Sequence, residues 1–164
     1  MREVRRSIGI CPQHDVLFDE LTVAEHIAFF CELKGLPSAE VDAEVKSIVK
    51  ALKLEDKIQA QSRTLSGGMK RKLSVGIALC AGSQVVILDE PTSGMDPGAR
   101  RLIWDLLQAE KQGRETLYVI DLHCSNDTFF QFINFNLIIN LSCGLHCCLH
   151  TQCCVQLISV LIFE

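Results

Sequence analysis

The feature that most constrains the fold is the apolar run at residues 85–88 (Val-Val-Ile-Leu), which is followed at once by Asp89 and Glu90. A short, continuous run of this kind, rich in β-branched residues, is typical of a parallel strand that is buried on both faces. Ligands of open α/β sheets bind at the carboxyl ends of such strands. The run therefore predicts a doubly wound α/β core with Asp89 and Glu90 at its ligand-binding edge.

Further elements are predicted on both sides of this strand. A short strand at residues 7–11 precedes three helices, the first capped by Thr22 and Glu25 and the second starting at about Ser38. A fourth helix begins with Asp96 as its N-cap and Pro97 at its first position, and Gly113 is expected to end it. One more strand is expected at residues 117–122.

The third helix opens with a turn that is suited to an anion. Ser66, Gly67 and Gly68 precede it, and the first N–H groups of a helix are free to bind a phosphate. Glycines let the backbone approach a phosphate closely, and Ser66 adds a hydroxyl donor. The alternative is a tight helix-entry turn without a ligand.

The adjacent carboxylates of Asp89 and Glu90 are suited to metal-assisted hydrolysis. One carboxylate can hold Mg²⁺ beside phosphates, and its neighbour can polarise a water molecule for in-line attack. Gln13, in the loop after the first strand, could orient this water or contact Mg²⁺ through its carbonyl. The alternatives are two acidic residues that merely end a strand and a glutamine in a solvated loop.

In their order along the chain these motifs resemble the ATP-binding domain of ABC transporters. The matching segments are residues 11–13 (the Q-loop), 65–69 (the signature), 85–90 (Walker B) and 93–96 (the D-loop). Residues 9–18, 66–74 and 90–97 narrow the resemblance to the A subfamily, the lipid exporters, and Met69 is one of the features that point there.

The resemblance implies a role for each candidate residue. Asp89 is implied as the Mg²⁺ ligand, Glu90 as the general base, and Gln13 as the sensor of metal and water. Ser66 and Gly68, with Gly67 between them, would contact the γ-phosphate of an ATP molecule that a second ATP-binding domain holds in a head-to-tail dimer. Asp96 would link the two sites of that dimer.

The resemblance also implies the setting of the parent protein. Its cofactors are ATP and Mg²⁺, its partners are transmembrane domains and a transported lipid, and its place is the cytoplasmic face of a membrane. Basic residues are not clustered in a way that suggests nucleic-acid binding. Gln13 and Ser66 are too close in sequence to admit a long coiled coil, which disfavours an ABC ATPase of DNA maintenance or translation.

Two features depart from the family pattern. The 164 residues contain no Gly-x-x-x-x-Gly-Lys-Ser/Thr sequence, the Walker A loop that grips phosphates. In the family this loop precedes the Q-loop, so we expect the given sequence to start after it. The switch histidine is expected after the last strand, and His123 lies near that place, although its neighbours do not match.

Charge divides the chain into two expected regions. All 16 Lys and Arg residues lie between Arg2 and Arg114. We expect residues 1–114 to form an incomplete ATP-binding domain, with a helical subdomain at about 19–80. Residues 115–164 form a divergent, Cys-rich tail, which we expect to be irregular and poorly ordered and attribute to a truncated, alternatively spliced or mis-joined product.

The cysteines differ between these regions. Cys11, Cys31 and Cys80 are isolated, as reduced core cysteines of a cytosolic protein are. In the tail, cysteines and histidines crowd together at residues 146–154, which leaves a zinc site and an accidental cluster as alternatives. Polar interruptions at residues 146–156 disfavour a transmembrane helix in the tail.

Two functions from different classes remain open for the chain itself. One is an ATP-hydrolysing subunit or fragment of a lipid transporter. The other is a catalytically inactive product that only docks on intact ABC ATPase domains. Magnesium-dependent binding of ATP by the purified chain would separate the two.

We predict that a polypeptide of these 164 residues alone shows no ATP turnover above background. The backbone amides and lysine of a Walker A loop supply the grip on the phosphates, and this sequence contains no substitute. Phosphate release by the pure chain measures the outcome. Multiple turnovers that Glu90→Gln abolishes would contradict the prediction.

Overall fold

The computed structural model describes residues 6–110 together with the backbone of residues 116–120. In this part of the chain helices connect the strands of an α/β protein, as predicted. The elements in chain order are β1 (Ile8–Cys11), α1 (Val23–Lys34), α2 (Ser38–Ala51), α3 (Gly67–Leu79), β2 (Val85–Asp89), α4 (Pro97–Glu110) and β3 (Thr116–Ile120), with short 3₁₀ turns at Glu55–Lys57 and Ser62–Thr64.

The three strands form one parallel sheet in the order β1-β2-β3. Cys11 lies opposite Leu88, and Asp89 lies opposite Ile120. Because all three strands run in the same direction, the loop after β1 and the end of β2 meet at one edge of the sheet. This register brings Gln13 to the same edge as Asp89 and Glu90.

Two glycines allow α3 to pack closely against its neighbours. A Cβ atom on Gly9 would lie 1.8 Å from the carbonyl oxygen of Ala78, so β1 touches the backbone of α3. On the other side of α3, a Cβ on Gly76 would lie 2.6 Å from Leu52 Cδ1, next to α2. The helix is therefore enclosed between the sheet and the α1–α2 pair.

Caps fix the ends of α1 and α3. The Thr22 hydroxyl accepts a hydrogen bond from the N–H of Glu25, whose carboxylate accepts one from the N–H of Thr22. The predicted capping box is thus confirmed. Lys34, in the last turn of α1, donates from Nζ to the carbonyl oxygens of Ile77 and Ala78 at 3.1 and 3.3 Å. A cation at these carbonyls also offsets the negative end of the α3 dipole.

The structure refines several of the sequence predictions. Val86 and Leu88, on one face of β2, are fully buried, whereas Val85 and Ile87, on the other face, are half-buried. The prediction that both faces of this strand are buried is therefore confirmed for one face only. The last strand is Thr116–Ile120 rather than 117–122. Cys11, Cys31 and Cys80 are buried free thiols, as expected.

The remaining predictions concern residues that the structure does not describe. Gly113, His123 and the tail beyond residue 120 lie outside the described residues, so the zinc alternative and the expected disorder stay predictions; near the start of the tail, the backbone of residues 116–120 forms β3. Within the described residues, no helix combines the length and apolar character that a membrane span requires.

We predict that Gly9→Ala strongly destabilises the chain. The new methyl group would meet a backbone carbonyl, which cannot move aside cheaply, so we expect a loss of about 3 kcal/mol in the free energy of unfolding. Urea unfolding followed by circular dichroism measures this loss. Gly68→Ala is the matched control, because open space surrounds the Cβ position there; equal losses for the two variants would contradict the packing argument.

Candidate functional site

A hydrogen bond in the candidate site joins the loop after β1 to the end of β2. Gln13 Nε2 donates a hydrogen bond to Glu90 Oε2 at 3.3 Å, although the two residues are 77 positions apart. The parallel register of β1 and β2 creates this contact, because it aligns the ends of the two strands. Gln13 and Glu90, which the sequence predicts to act together in ATP hydrolysis, therefore lie side by side.

Glu90 has an uncommon backbone conformation. Its φ is +45°, in the left-handed region that costs a non-glycine residue about 1–2 kcal/mol. Its carbonyl oxygen accepts a hydrogen bond from the N–H of Ser93 at 3.0 Å, which closes the turn after β2. Strained residues of this kind concentrate at functional sites, where surrounding contacts hold them in place.

The main contact that holds this turn comes from Arg71 on α3. Its side chain is buried, with 3% of the residue exposed. Nε and Nη2 donate to the carbonyl oxygen of Glu90 at 3.2 and 2.8 Å, and Nη2 also donates to that of Asp89. Nη1 donates to the carbonyl oxygen of Pro12 and to Asp15 Oδ1. All five N–H donors of the guanidinium group are thus satisfied.

Asp15 completes the connection between α3 and the loop that carries Gln13. Its Oδ1 accepts from Arg71 Nη1 at 3.2 Å and from the Ser74 hydroxyl at 2.9 Å. A cation this deeply buried requires such partners, because an unpaired charge in the interior is strongly unfavourable. The loop, α3 and the end of β2 therefore form one hydrogen-bonded unit.

The sequence motifs indicate no site role for Arg71 or Asp15. One signal could have found Arg71: residues 73–79 are apolar or small almost without interruption, so this helix is buried on most sides. A basic residue so near that run is forced inward and needs acceptors. Asp15 carries no comparable signal, because an acidic residue in a loop is usually solvated.

Asp89 lies half-buried beside Glu90. Burial, and secondly the neighbouring Glu90 carboxylate, raise the pKa of Asp89, whereas Arg71 lowers it. Arg71 binds the backbone carbonyls of both residues and leaves their carboxylates to other partners. Two adjacent carboxylates and a glutamine amide form a donor set that suits a hard cation such as Mg²⁺, which retains most of its water ligands.

The predicted phosphate-binding turn lies at the start of α3. Ser66 is the N-cap, and its hydroxyl accepts a hydrogen bond from the N–H of Met69 at 3.3 Å, which leaves the hydroxyl proton as a donor. Apart from the chain neighbours and the backbone of the same helix, no heavy atom of the described residues lies within 4 Å of a Cβ built on Gly67 or Gly68, and neither residue has a positive φ. Nothing inside the described chain therefore requires glycine at these positions.

Asp96 is confirmed as the N-cap of α4. Its Oδ2 accepts a hydrogen bond from the N–H of Ala99 at 3.0 Å, and this bond lowers the pKa of Asp96. Gly94, with a φ of +69°, supplies the left-handed turn just before it. Asp96 is exposed and thus free to contact another molecule.

The structure brings together Gln13, Asp89 and Glu90, and it places the other candidates elsewhere. Ser66, Gly67 and Gly68 form their own turn, and Asp96 starts a different helix. His123 lies outside the described residues. Among the residues that are described, no three His, Cys, Asp or Glu side chains are close enough to hold a metal ion by themselves.

Comparison with known proteins gives consistent matches. A family model described as ABC transporter matches residues 1–93. Phospholipid-transporting ATPase ABCA3 of Mus musculus is 61% identical over 117 residues, which are 71% of this chain and 7% of that protein. ATP-binding cassette sub-family A member 17 of Rattus norvegicus is 53% identical over 117 residues, with the same coverage of 71% and 7%.

A solved structure of an ATP binding subunit of an ABC transporter superposes with a TM-score of 0.63 at 27% identity. The match covers 72% of this chain and 50% of that subunit. The chain thus spans only a small part of the length of the curated relatives, while the family model matches more than half of the chain. The chain therefore belongs to the ABC transporter family, as part of an ATP-binding domain whose curated relatives include members of sub-family A.

Proposed function

We propose that this chain contributes the signature half of an ATP site to a partner ATP-binding domain, within a system that uses ATP to drive lipid transport across a membrane. The observation that carries the proposal is the open turn at Gly67 and Gly68. Neither packing nor backbone conformation explains two glycines there. A ligand that approaches the backbone from outside explains both.

The turn provides the donors that a terminal phosphate needs. The first N–H groups of α3 point away from the helix, and its dipole favours a negative charge at this end. The Ser66 hydroxyl proton adds a side-chain donor beside them. In the head-to-tail arrangement that the family resemblance implies, a second ABC ATP-binding domain would hold these phosphates, and Asp96 would contact that domain from the start of α4.

The residues at the edge of the sheet fit the hydrolytic half of a second site. Asp89 would hold Mg²⁺, Glu90 would accept a proton from the attacking water, and Gln13 would hold that water or a metal ligand in line. When bound, ATP with Mg²⁺ supplies the phosphoryl group and neutralises its developing charge. The hydrogen bond between Gln13 and Glu90 orients both side chains beforehand.

An apolar patch beside the loop of Gln13 supports the transmembrane domains as a further partner. Phe18 and Phe29 meet edge to face, with ring centroids 5.9 Å apart, and are 50% and 45% exposed. Leu33 lies one turn beyond Phe29 on α1 and is 65% exposed. Clustered apolar side chains on a surface mark interaction sites. We propose that this patch contacts the cytoplasmic face of the transmembrane domains of the transporter.

The second candidate is a chain that docks on intact ATP-binding domains without catalysis of its own. The lack of a Walker A sequence in the 164 residues favours it for this polypeptide. Both candidates use the same open turn, and they differ in whether the carboxylates of Asp89 and Glu90 act on a nucleotide. Magnesium-dependent ATP binding by the purified chain favours the first.

We predict that the chain associates with an intact ABC ATPase domain only when ATP is present. The partner carries a substitution of its own catalytic base, so that ATP persists in the shared site. Analytical ultracentrifugation with ATP, with ADP and without nucleotide measures the association.

Two variants locate the contact. Ser66→Arg should abolish association, because its side chain fills the space of the γ-phosphate. Glu90→Gln should leave association unchanged, because this residue belongs to the other site. Association that occurs without nucleotide and also in the Ser66→Arg variant would show that the open turn is not the contact.

We predict that Gly68→Asp separates folding from association. The new side chain has room, and a carboxylate near a helix N-terminus stabilises it by about 0.3–1 kcal/mol, so the free energy of unfolding should not fall. The same carboxylate would repel a γ-phosphate, and we expect affinity for the ATP-loaded partner to fall about tenfold or more. Gly68→Ala, which adds a methyl group without charge, is the matched variant and should weaken the association less than Gly68→Asp; wild-type affinity in both variants would contradict an anion at this turn.

A further inference from the structure

We propose that Arg71 is a positioning residue that couples the open turn of α3 to the Gln13–Glu90 pair. The inference rests on the proposed function for the roles of those residues. It goes beyond that function by naming the side chain through which one half-site affects the other. Arg71 itself would contact neither nucleotide nor water.

The geometry of Arg71 first explains how Glu90 is held. Glu90 is in a left-handed conformation, which an isolated chain disfavours. Two N–H groups of Arg71 converge on its carbonyl oxygen at 3.2 and 2.8 Å and fix the direction of that peptide group. Once this backbone is fixed, the Glu90 carboxylate lies within reach of Gln13 Nε2.

The same guanidinium group holds the other partner of the pair. Nη1 binds the carbonyl oxygen of Pro12, the residue immediately before Gln13. It also binds Asp15, two residues after Gln13, at 3.2 Å. A planar fork can span two loops in this way, whereas a lysine ammonium is a point charge on a flexible stem. The relative position of Gln13 and Glu90 is therefore set from one side chain.

Arg71 also belongs to the helix that starts at the open turn. It lies five residues after Ser66, which is about 7.5 Å along the helix axis. A helix moves as a rigid element, so a displacement of its N-terminus by a bound phosphate reaches the guanidinium group. Because that group binds both loops, the displacement changes the contact between Gln13 and Glu90.

The side-chain amide of Gln13 provides a direct test in the full 164-residue chain without nucleotide. Its ¹⁵N-HSQC signal is identified by its loss in Gln13→Glu. In Arg71→Met we expect this signal to move to the position of a solvated glutamine, while the backbone signals of α1 and α2 stay in place. Lys72→Met, which removes a cation from the adjacent position of α3, is the matched control and should leave the signal unchanged.

The Arg71→Lys variant keeps a positive charge inside the fold. If Arg71→Met does not fold, the Gln13 signal is measured in Arg71→Lys instead. One ammonium group cannot bind both loops, so we expect the Gln13 signal to move part of the way. A merely structural role would lower the melting temperature of these variants and leave the Gln13 signal of the folded state where it is. That outcome, for either folded variant, would overturn the assignment.

Adding an ATP-loaded, base-disabled ABC ATPase domain tests the coupling itself. On association, the Gln13 signal should shift in the wild-type chain and in the Lys72→Met variant. In the Arg71→Lys variant the signal should not shift when the variant associates with the partner domain. Association of the wild-type chain without a shift of Gln13 would refute the coupling. Absence of any association would refute the proposed function instead, while the nucleotide-free spectra still decide whether Arg71 positions Gln13.

Discussion

The buried guanidinium group of Arg71 is the interaction on which the arrangement of the site depends. A cation with 3% of its residue exposed is tolerated only when each of its donors has an acceptor. Those acceptors are backbone carbonyls at residues 12, 89 and 90 and one carboxylate at Asp15. Because these acceptors lie in the loop after β1 and at the end of β2, one buried side chain ties these two segments to α3.

Four glycines in or beside α3 form two pairs with different physical reasons. Gly9 and Gly76 lie where another residue's atoms occupy the space of a Cβ, so internal packing requires them. Gly67 and Gly68 have open space around that position and ordinary backbone angles. The first pair fixes α3 against the sheet and α2, and the second pair leaves the start of the same helix accessible. Packing thus holds rigid the element that offers the accessible turn.

Local patterns are sufficient to predict most elements and the starts of several helices. The capping box at Thr22, the N-cap at Asp96 and the turn before α3 all depend on a few neighbouring residues. The contacts of Arg71 join residues up to 59 positions apart, and a single sequence does not record which inward cation meets which loop. The left-handed conformation of Glu90 was also not predicted, because tertiary contacts override the local preference of a glutamate.

The electrostatics at the sheet edge fit the metal site that we propose there. Arg71 uses its donors on the carbonyls of Asp89 and Glu90, so its charge only partly relieves their carboxylates, and burial still raises the pKa of Asp89. A bound cation would favour the ionised form of Asp89 and lower that pKa. Arg71 therefore fixes the geometry of this backbone more than it neutralises charge. Its contacts with Asp89 and Glu90 do not involve their carboxylates, of which that of Glu90 accepts a hydrogen bond from Gln13, and both remain for the metal ion that we propose.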